Sequence, residues 1–217
     1  MNVLITGATG MVGEGVLLAC LQNNAVTNVI SLSRKSIRLK HEKLQEIILK
    51  DFNEVNQIKE QIGAIDACFF CAGVSSIGEN EASFYRKTYQ LVVPFATALS
   101  EINSNLVFTY VSGKGTDSTE NGKTMWARVK GKTENALLKL PFTAVYNFRP
   151  GLMKPMKNQK NIPDALKLAT VFYPFIKKIA PNYACTLQEV GMAMINSVQK
   201  KYPKNTIEVN DIIILAK

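Results

Sequence analysis

Histidine is nearly missing from this 217-residue chain, His41 being its single copy, and cysteine occurs only at positions 20, 68, 71 and 185. Structural zinc sites draw on clusters of these two residue types at set spacings, so neither zinc binding nor dithiol chemistry is expected. "CFFC" at 68–71 has a suggestive spacing, but it lies inside the apolar run "IDACFFCAG" and no second CxxC exists. Residues three apart in a strand face opposite sides of the sheet, so Cys68 and Cys71 read as separate, buried, reduced thiols.

Long apolar runs are lacking as well. No stretch of the sequence reaches the eighteen or so uninterrupted apolar residues that a membrane span needs. "MNVLITGATG" has no basic start, and its apolar run stops at Thr6-Gly7, too early for a secretion signal. The expectation is a soluble, cytoplasmic protein. Repeats, low-complexity tracts and linkers are missing too, so residues 1–217 read as one domain, with about 150–217 as its substrate-side and C-terminal part.

Acidic residues are the scarcer sign of charge, 17 against 26 basic, which leaves a net charge of +9. The basic residues are dispersed: Arg34-Lys35, 38–43, 154–160, 177–178 and 200–204. They do not interleave with aromatics as a nucleic-acid groove would, so nucleic acid is not the expected partner. A phosphorylated small molecule is the most economical reason for the positive field.

What the chain does have is rhythm. Strand-like runs "NVLIT", "NVISLS", "EIILKDF", "DACFFCAG", "NLVFTYVSG" and "FTAVYNFRPG" alternate with segments of helical period. Those helices are expected at "MVGEGVLLACLQ", "NEVNQIKEQI", about 81–100 and about 123–139. Near-continuous Val/Ile/Leu/Phe strands followed by helices predict an α/β fold, a doubly wound parallel sheet with helices on both faces. The tail adds the helix-like segments "DALKLATVFYPFIKKIA" and "LQEVGMAMINSVQKK", then a short final strand around "IEVNDIIILA".

"TGATGMVG" sets Gly7, Gly10 and Gly13 between the first strand and first helix. Gly7 permits the tight turn, Gly10 lets the backbone approach a pyrophosphate, and Gly13 lets the helix pack close to the sheet. The amides of the helix start, Thr9, Met11 and Val12 among them, then face the phosphates of a dinucleotide. After the second strand comes "SLSRKS", with Arg34 and Lys35 where NAD binders carry an acidic residue. A guanidinium there binds a 2′-phosphate bidentately, which favours NADP over NAD unless Arg34 is only a solvated surface charge. Asp51, with Phe52, could contact the adenine in this kind of fold, and the backbone of Cys71, Ala72 and Gly73 would run past the cofactor.

Taken in order, "TGATGMVG", "FCAG", "YVSGKG", "WARVKGKTE" and "FRPG" resemble the short-chain dehydrogenase/reductase superfamily, specifically its atypical, NAD(P)-binding epimerase-like branch of small oxidoreductase-like proteins. The resemblance runs to about residue 200. It implies a Rossmann-type domain, a small-molecule carbonyl or alcohol substrate, and often a homodimer formed through the helices flanking the sheet. It also implies a catalytic serine at Ser112 and a lysine at Lys130 that anchors the nicotinamide ribose. The backbone of Pro150, Gly151 and Leu152 would pass the carboxamide.

In that superfamily a tyrosine stands four residues before the lysine, and here Trp126 fills the position. An indole N–H donates a hydrogen bond but does not titrate as an acid. Three readings stay open: another acid (Tyr89, Tyr110 or a lysine-coupled water), an NADP-binding protein without turnover, or Trp126 as an apolar wall. Plain alternatives stand beside them. Trp126 as core packing, Lys130 paired with Glu134 one turn on, and Arg149 satisfying a structural carboxylate all need no catalysis. The apolar, lysine-flanked segment 152–181 could cover a pocket, dock a subunit, lie on an acidic membrane or pack on the C-terminal helix.

Overall fold

The apolar run that opens the chain is strand β1 (Asn2–Thr6), and its alternate residues feed two separate cores. Val3 and Ile5 belong to one and Leu4 to the other, as expected of a strand covered on both faces. The computed structural model describes residues 1–217, apart from the side chains at positions 165, 168 and 169.

Helix α1 (Met11–Gln22) leads to β2 (Asn28–Ser33), β3 (Leu44–Ile48), a 3-10 stretch (Phe52–Ile58), α2 (Lys59–Ile62) and β4 (Ala67–Phe70). Next come α3 (Glu81–Lys87), α4 (Tyr89–Ile102), β5 (Val107–Val111), α5 (Met125–Leu137) and β6 (Ala144–Arg149). The remainder holds β7 (Leu152–Lys154), α6 (Asp164–Val171), α7 (Tyr173–Ile179), β8 (Ala184–Thr186), α8 (Leu187–Gln199), β9 (Thr206–Glu208) and α9 (Val209–Leu215).

Seven strands form one parallel sheet in the order β3-β2-β1-β4-β5-β6-β9, and β7 pairs with β8 separately. From β1 the chain winds outward through β2 and β3, then crosses back to lay β4 on the other side of β1. That reversal is the doubly wound, Rossmann-type arrangement. On one face, α1, α8 and α9 pack through Val16, Leu17, Val190, Met194 and Ile212. On the other, the 3-10 stretch, α4 and α5 pack through Phe52, Val55, Phe95, Leu99 and Leu137. Each fully buried side chain of this size contributes roughly 1.5–3 kcal/mol, so these two layers hold the frame.

Cys68 and Cys71 fall in opposite layers, as their spacing requires, and all four thiols are free. Burial pushes the Cys71 and Cys185 thiols up to about 12, which leaves both unreactive near neutral pH.

Five segments depart from the sequence pattern. The third strand ends at Ile48, so Lys50 and Asp51 lie beyond it, and "NEVNQIKEQI" is mostly 3-10 rather than α. The helix expected over 81–100 breaks at Thr88 into α3 and α4. "DALKLATVFYPFIKKIA" divides at Phe172, because Pro174 suits the first turn of a new helix better than the interior of an old one. The expected final strand shrinks to Thr206–Glu208, after which a capping box of Glu208 and Asp211 starts α9. Val209, Ile212 and Leu215 are its buried apolar residues, and that spacing of three is helical, not extended.

Candidate functional site

The reversal between β1 and β4 opens a crevice beyond the carboxyl ends of the strands, where folds of this type bind their ligands. A cleft of about 620 Å³ lies there. Gly7, Thr9 and Gly10 come to it from the end of β1, and Ser33 and Arg34 from β2. Asp51, Phe52 and Asn53 follow β3, and Cys71, Ala72 and Gly73 follow β4. Gly7 turns with φ +76°, and a Cβ there would stand 2.5 Å from the Ala72 amide nitrogen, so a side chain would wedge the two loops apart. At Gly13 a Cβ would overlap the Gly7 carbonyl oxygen, so this glycine seats α1 against the turn. The helix starts at Gly10 with no side-chain cap, leaving the amides of its first turn for an anion.

Charge lines the same cleft. Arg34, Lys50, Arg86 and Lys87 face it, with Asp51 the acidic residue among the lining groups. Asp51 also accepts a hydrogen bond from the Asn53 amide at 2.9 Å, which starts the 3-10 stretch. Ser33 donates to the Lys35 carbonyl at 2.7 Å and so shapes the turn that presents Arg34. Sequence reasoning missed Lys50, Arg86, Lys87, Gln90 and Leu91. The adjacent "RK" at 86–87 was the visible clue, and it lines the cleft from the last turn of α3, just before the break at Thr88.

The other expected cofactor contacts lie outside this cleft. Met11 is buried and its carbonyl accepts from Gln159 at 2.8 Å; Val12 is half-buried, and Lys35 is exposed beside the turn. The Pro150 carbonyl accepts from the Lys114 amide at 2.9 Å, Leu152 pairs with Ala184 in the small sheet, and Gly151 backs onto the Tyr183 carbonyl. The Glu14 carboxylate holds the amides of Lys160 and Asn161 at 2.9 and 2.7 Å, clasping the distant segment to the first turn of α1.

Ser112, Lys130 and Glu134 meet beyond the end of β5. The Ser112 hydroxyl is buried and donates to Glu134, with the Phe148 carbonyl at 3.1 Å as its other acceptor. Lys130 donates to the Ser112 carbonyl; burial pulls its pKa down to about 8, with the charge of Glu134 opposing the shift. Glu134 itself pairs with Arg149, which also reaches Ser118 and Glu208. Burial works against the charge on Arg149, but Glu134 and Glu208 outweigh it and raise its pKa. Trp126 is half-buried, and its ring edge stands 3.4 Å from where a Cβ on Gly115 would be. Tyr110 is buried, and desolvation drives its phenol well above the usual range. Tyr89 stacks on Tyr85 at 4.8 Å under the ammonium of Lys132.

Past this network, a second cleft of about 510 Å³ opens beyond β5, β6 and β9. Lys114, Thr116, Arg149, Asn182, Tyr183 and Glu208 line it, and the Lys114 ammonium lies 4.5 Å over the Tyr183 ring. Ser112 and Lys130 therefore sit between a glycine-floored cleft and a polar one.

A family profile matches residues 3–126, the part of the chain that builds the first cleft and ends at Trp126. The chain belongs to the NAD dependent epimerase/dehydratase family. Membership supports NAD(P) binding as the general reading. Among solved structures of similar fold is UDP-glucose 4-epimerase from Thermotoga maritima, at TM-score 0.68 and 13% identity, covering 100% of this chain and 82% of that one. Another is the GalE-like L-threonine dehydrogenase from Cupriavidus necator, at TM-score 0.70 and 15% identity, covering 96% and 78%. At such identities the likeness is one of fold.

Sequence relatives of this family member include protein fmp52, mitochondrial, from Emericella nidulans, 26% identical over 90% of this chain and 86% of that protein. Protein HTATIP2 from Rattus norvegicus is 24% identical over 91% and 81%. The fungal names overturn the expectation of a cytoplasmic protein. That expectation rested on a missing secretion signal and missing span, and neither feature separates one aqueous compartment from another. Among the described residues no helix is long and apolar enough to cross a membrane.

Proposed function

We propose that the first cleft binds NADP and that the protein is an oxidoreductase or epimerase-like enzyme acting on a small carbonyl or alcohol. The observation that carries this reading is the cleft's combination of a glycine floor, an uncapped helix start and four lining cations, of which Lys87 is paired with Glu79. These groups fit the dinucleotide. The amides of Thr9, Met11 and Val12 would hold the pyrophosphate, Arg34 and Lys35 the 2′-phosphate, and Asp51 and Phe52 the adenine side, while the Gly10 amide, donated to the Gly7 carbonyl at 2.9 Å, closes the turn. Cys71 to Gly73 would border it, and Pro150 to Leu152 would border its carboxamide.

When bound, NADP supplies a hydride acceptor or donor. Lys130 anchors the ribose, and with a pKa of about 8 it can also release a proton near neutral pH, a task Trp126 cannot perform. Ser112 turns its hydroxyl from Glu134 to the substrate oxygen and polarises it. Trp126 forms an apolar wall, and residues 1–217 act as one domain whose part beyond about 150 meets the substrate.

Calorimetric titration tests the cofactor assignment. NADPH should bind more tightly than NADH, and Arg34→Ala should cut that preference by about tenfold, the scale of one charge-assisted hydrogen bond. Equal affinities in the unmutated protein would overturn it. Two observations favour a second reading, an NADP-binding regulator without turnover: the indole at position 126 and the Ser112 proton committed to Glu134. NADPH oxidation at enzyme-like rates with any member of a small carbonyl panel eliminates that reading.

A further inference from the structure

Among the described residues, ten large apolar side chains stand exposed, and five of them fall between positions 171 and 183. Val171 is 70% exposed, Phe172 58%, Phe175 66% and Ile179 65%, with Tyr183 beyond them. Phe172, Phe175 and Ile179 follow the spacing of one helical face. That face is turned outward by α7's own anchors. Tyr173 is buried on the opposite side beneath the Lys154 ammonium at 5.6 Å, and Lys177 donates to the Ala184 carbonyl at 2.9 Å. The helix is therefore seated by its polar-tipped residues and presents its aromatic ones to solvent, the reverse of an ordinary surface helix. The sequence option of packing on the C-terminal helix does not account for these side chains.

Charge identifies the occupant. Residues 154–183 contain six lysines and one acidic residue, Asp164, and so hold more than half of the chain's net charge of +9. Lys178 is exposed between Phe175 and Ile179. A second copy of this chain would set like charge against like charge, and such juxtaposition opposes association. A surface of phosphates over hydrocarbon matches both halves of the pattern. Aromatic and aliphatic side chains enter the boundary with the acyl chains, and ammonium groups stay among the anionic headgroups. Since no described helix can span a bilayer, contact of this kind is peripheral.

We propose that the α6–α7 face docks the protein on anionic phospholipid membranes. Tyr183 belongs both to this face and to the second cleft, so a docked molecule holds that cleft beside the bilayer surface. None of these residues lines the first cleft, and the proposal stands whether or not NADP is the cofactor.

Vesicle co-sedimentation of the full chain tests it. Phosphatidylcholine vesicles containing about one-third phosphatidylglycerol should bind the protein, and phosphatidylcholine alone should bind it at least about tenfold more weakly. Binding should fall steeply as salt is raised. The double variant Phe172→Ser with Phe175→Ser should lose about tenfold or more in partitioning, and Lys178→Glu about tenfold. Because these side chains are exposed, melting temperature and dinucleotide affinity should stay unchanged, which separates lost docking from lost folding. Equal sedimentation with neutral and anionic vesicles, or undiminished binding by both variants, overturns the proposal. So does a dimer of the unmutated protein that the double serine variant converts to monomer.

Discussion

The two ends of the sheet's carboxyl edge are built on different principles. Over β1 to β4 the cleft is floored by backbone and glycine, and its charged groups stand at the rim in reach of water. Beyond β5 and β6 the charges are internal: Glu134 is buried, and Ser112 and Arg149 converge on it. At the first end the charged residues make only local, rim-level contacts, Lys87 with Glu79 and Asp51 with the Asn53 amide. At the second, Glu134 and Arg149 are each other's counterions, so altering either one touches stability.

Glu134→Gln should break that contrast most visibly. It leaves Arg149 buried with only the half-exposed Glu208 to oppose its charge, and a loss of about 3–5 kcal/mol is expected in urea unfolding. The next effect concerns pH. Lys130 titrates at about 8 in the fold against 10.5 as a free side chain. Between those values the unfolded chain holds a proton that the folded chain has released, so raising the pH through this window stabilises the protein. Below pH 8 both states are protonated and the contribution is flat. Comparing unfolding free energies of Lys130→Met and the unmutated protein from pH 8 to 10.5 should show the latter gaining up to about 3 kcal/mol relative to the variant. The smallest effect sharpens the comparison from the other side. Arg34→Ala, at the rim of the first cleft, should shift stability by no more than about 0.5 kcal/mol in the same unfolding measurement.

Much of the frame was legible because it rests on local pattern. Each long strand is an unbroken apolar run, and the turn at Gly7 is dictated by neighbours a few residues away. The Lys130–Glu134 spacing shows why the second end was harder to read. Four residues apart on one helix, the two were natural partners, yet Glu134 is claimed by Arg149 from the adjoining strand, and Lys130 turns to the Ser112 carbonyl. A carboxylate's choice between two cations depends on tertiary approach, which spacing does not encode. The same holds for Arg86, whose place in the first cleft depends on how α3 packs over the end of the sheet. The terminal isoleucines misled for a different reason. "DIIIL" has the composition of a strand, but only its period, read from Val209 through Ile212 to Leu215, reveals a helix.

Glu14 has one more consequence. Its two oxygens take up amide hydrogens from a stretch lying 146 and 147 residues further along, so Lys160 and Asn161 are mechanically part of the protein's first helix. The strap leading into α6 is thereby tied to the first turn of the helix that follows the glycine turn.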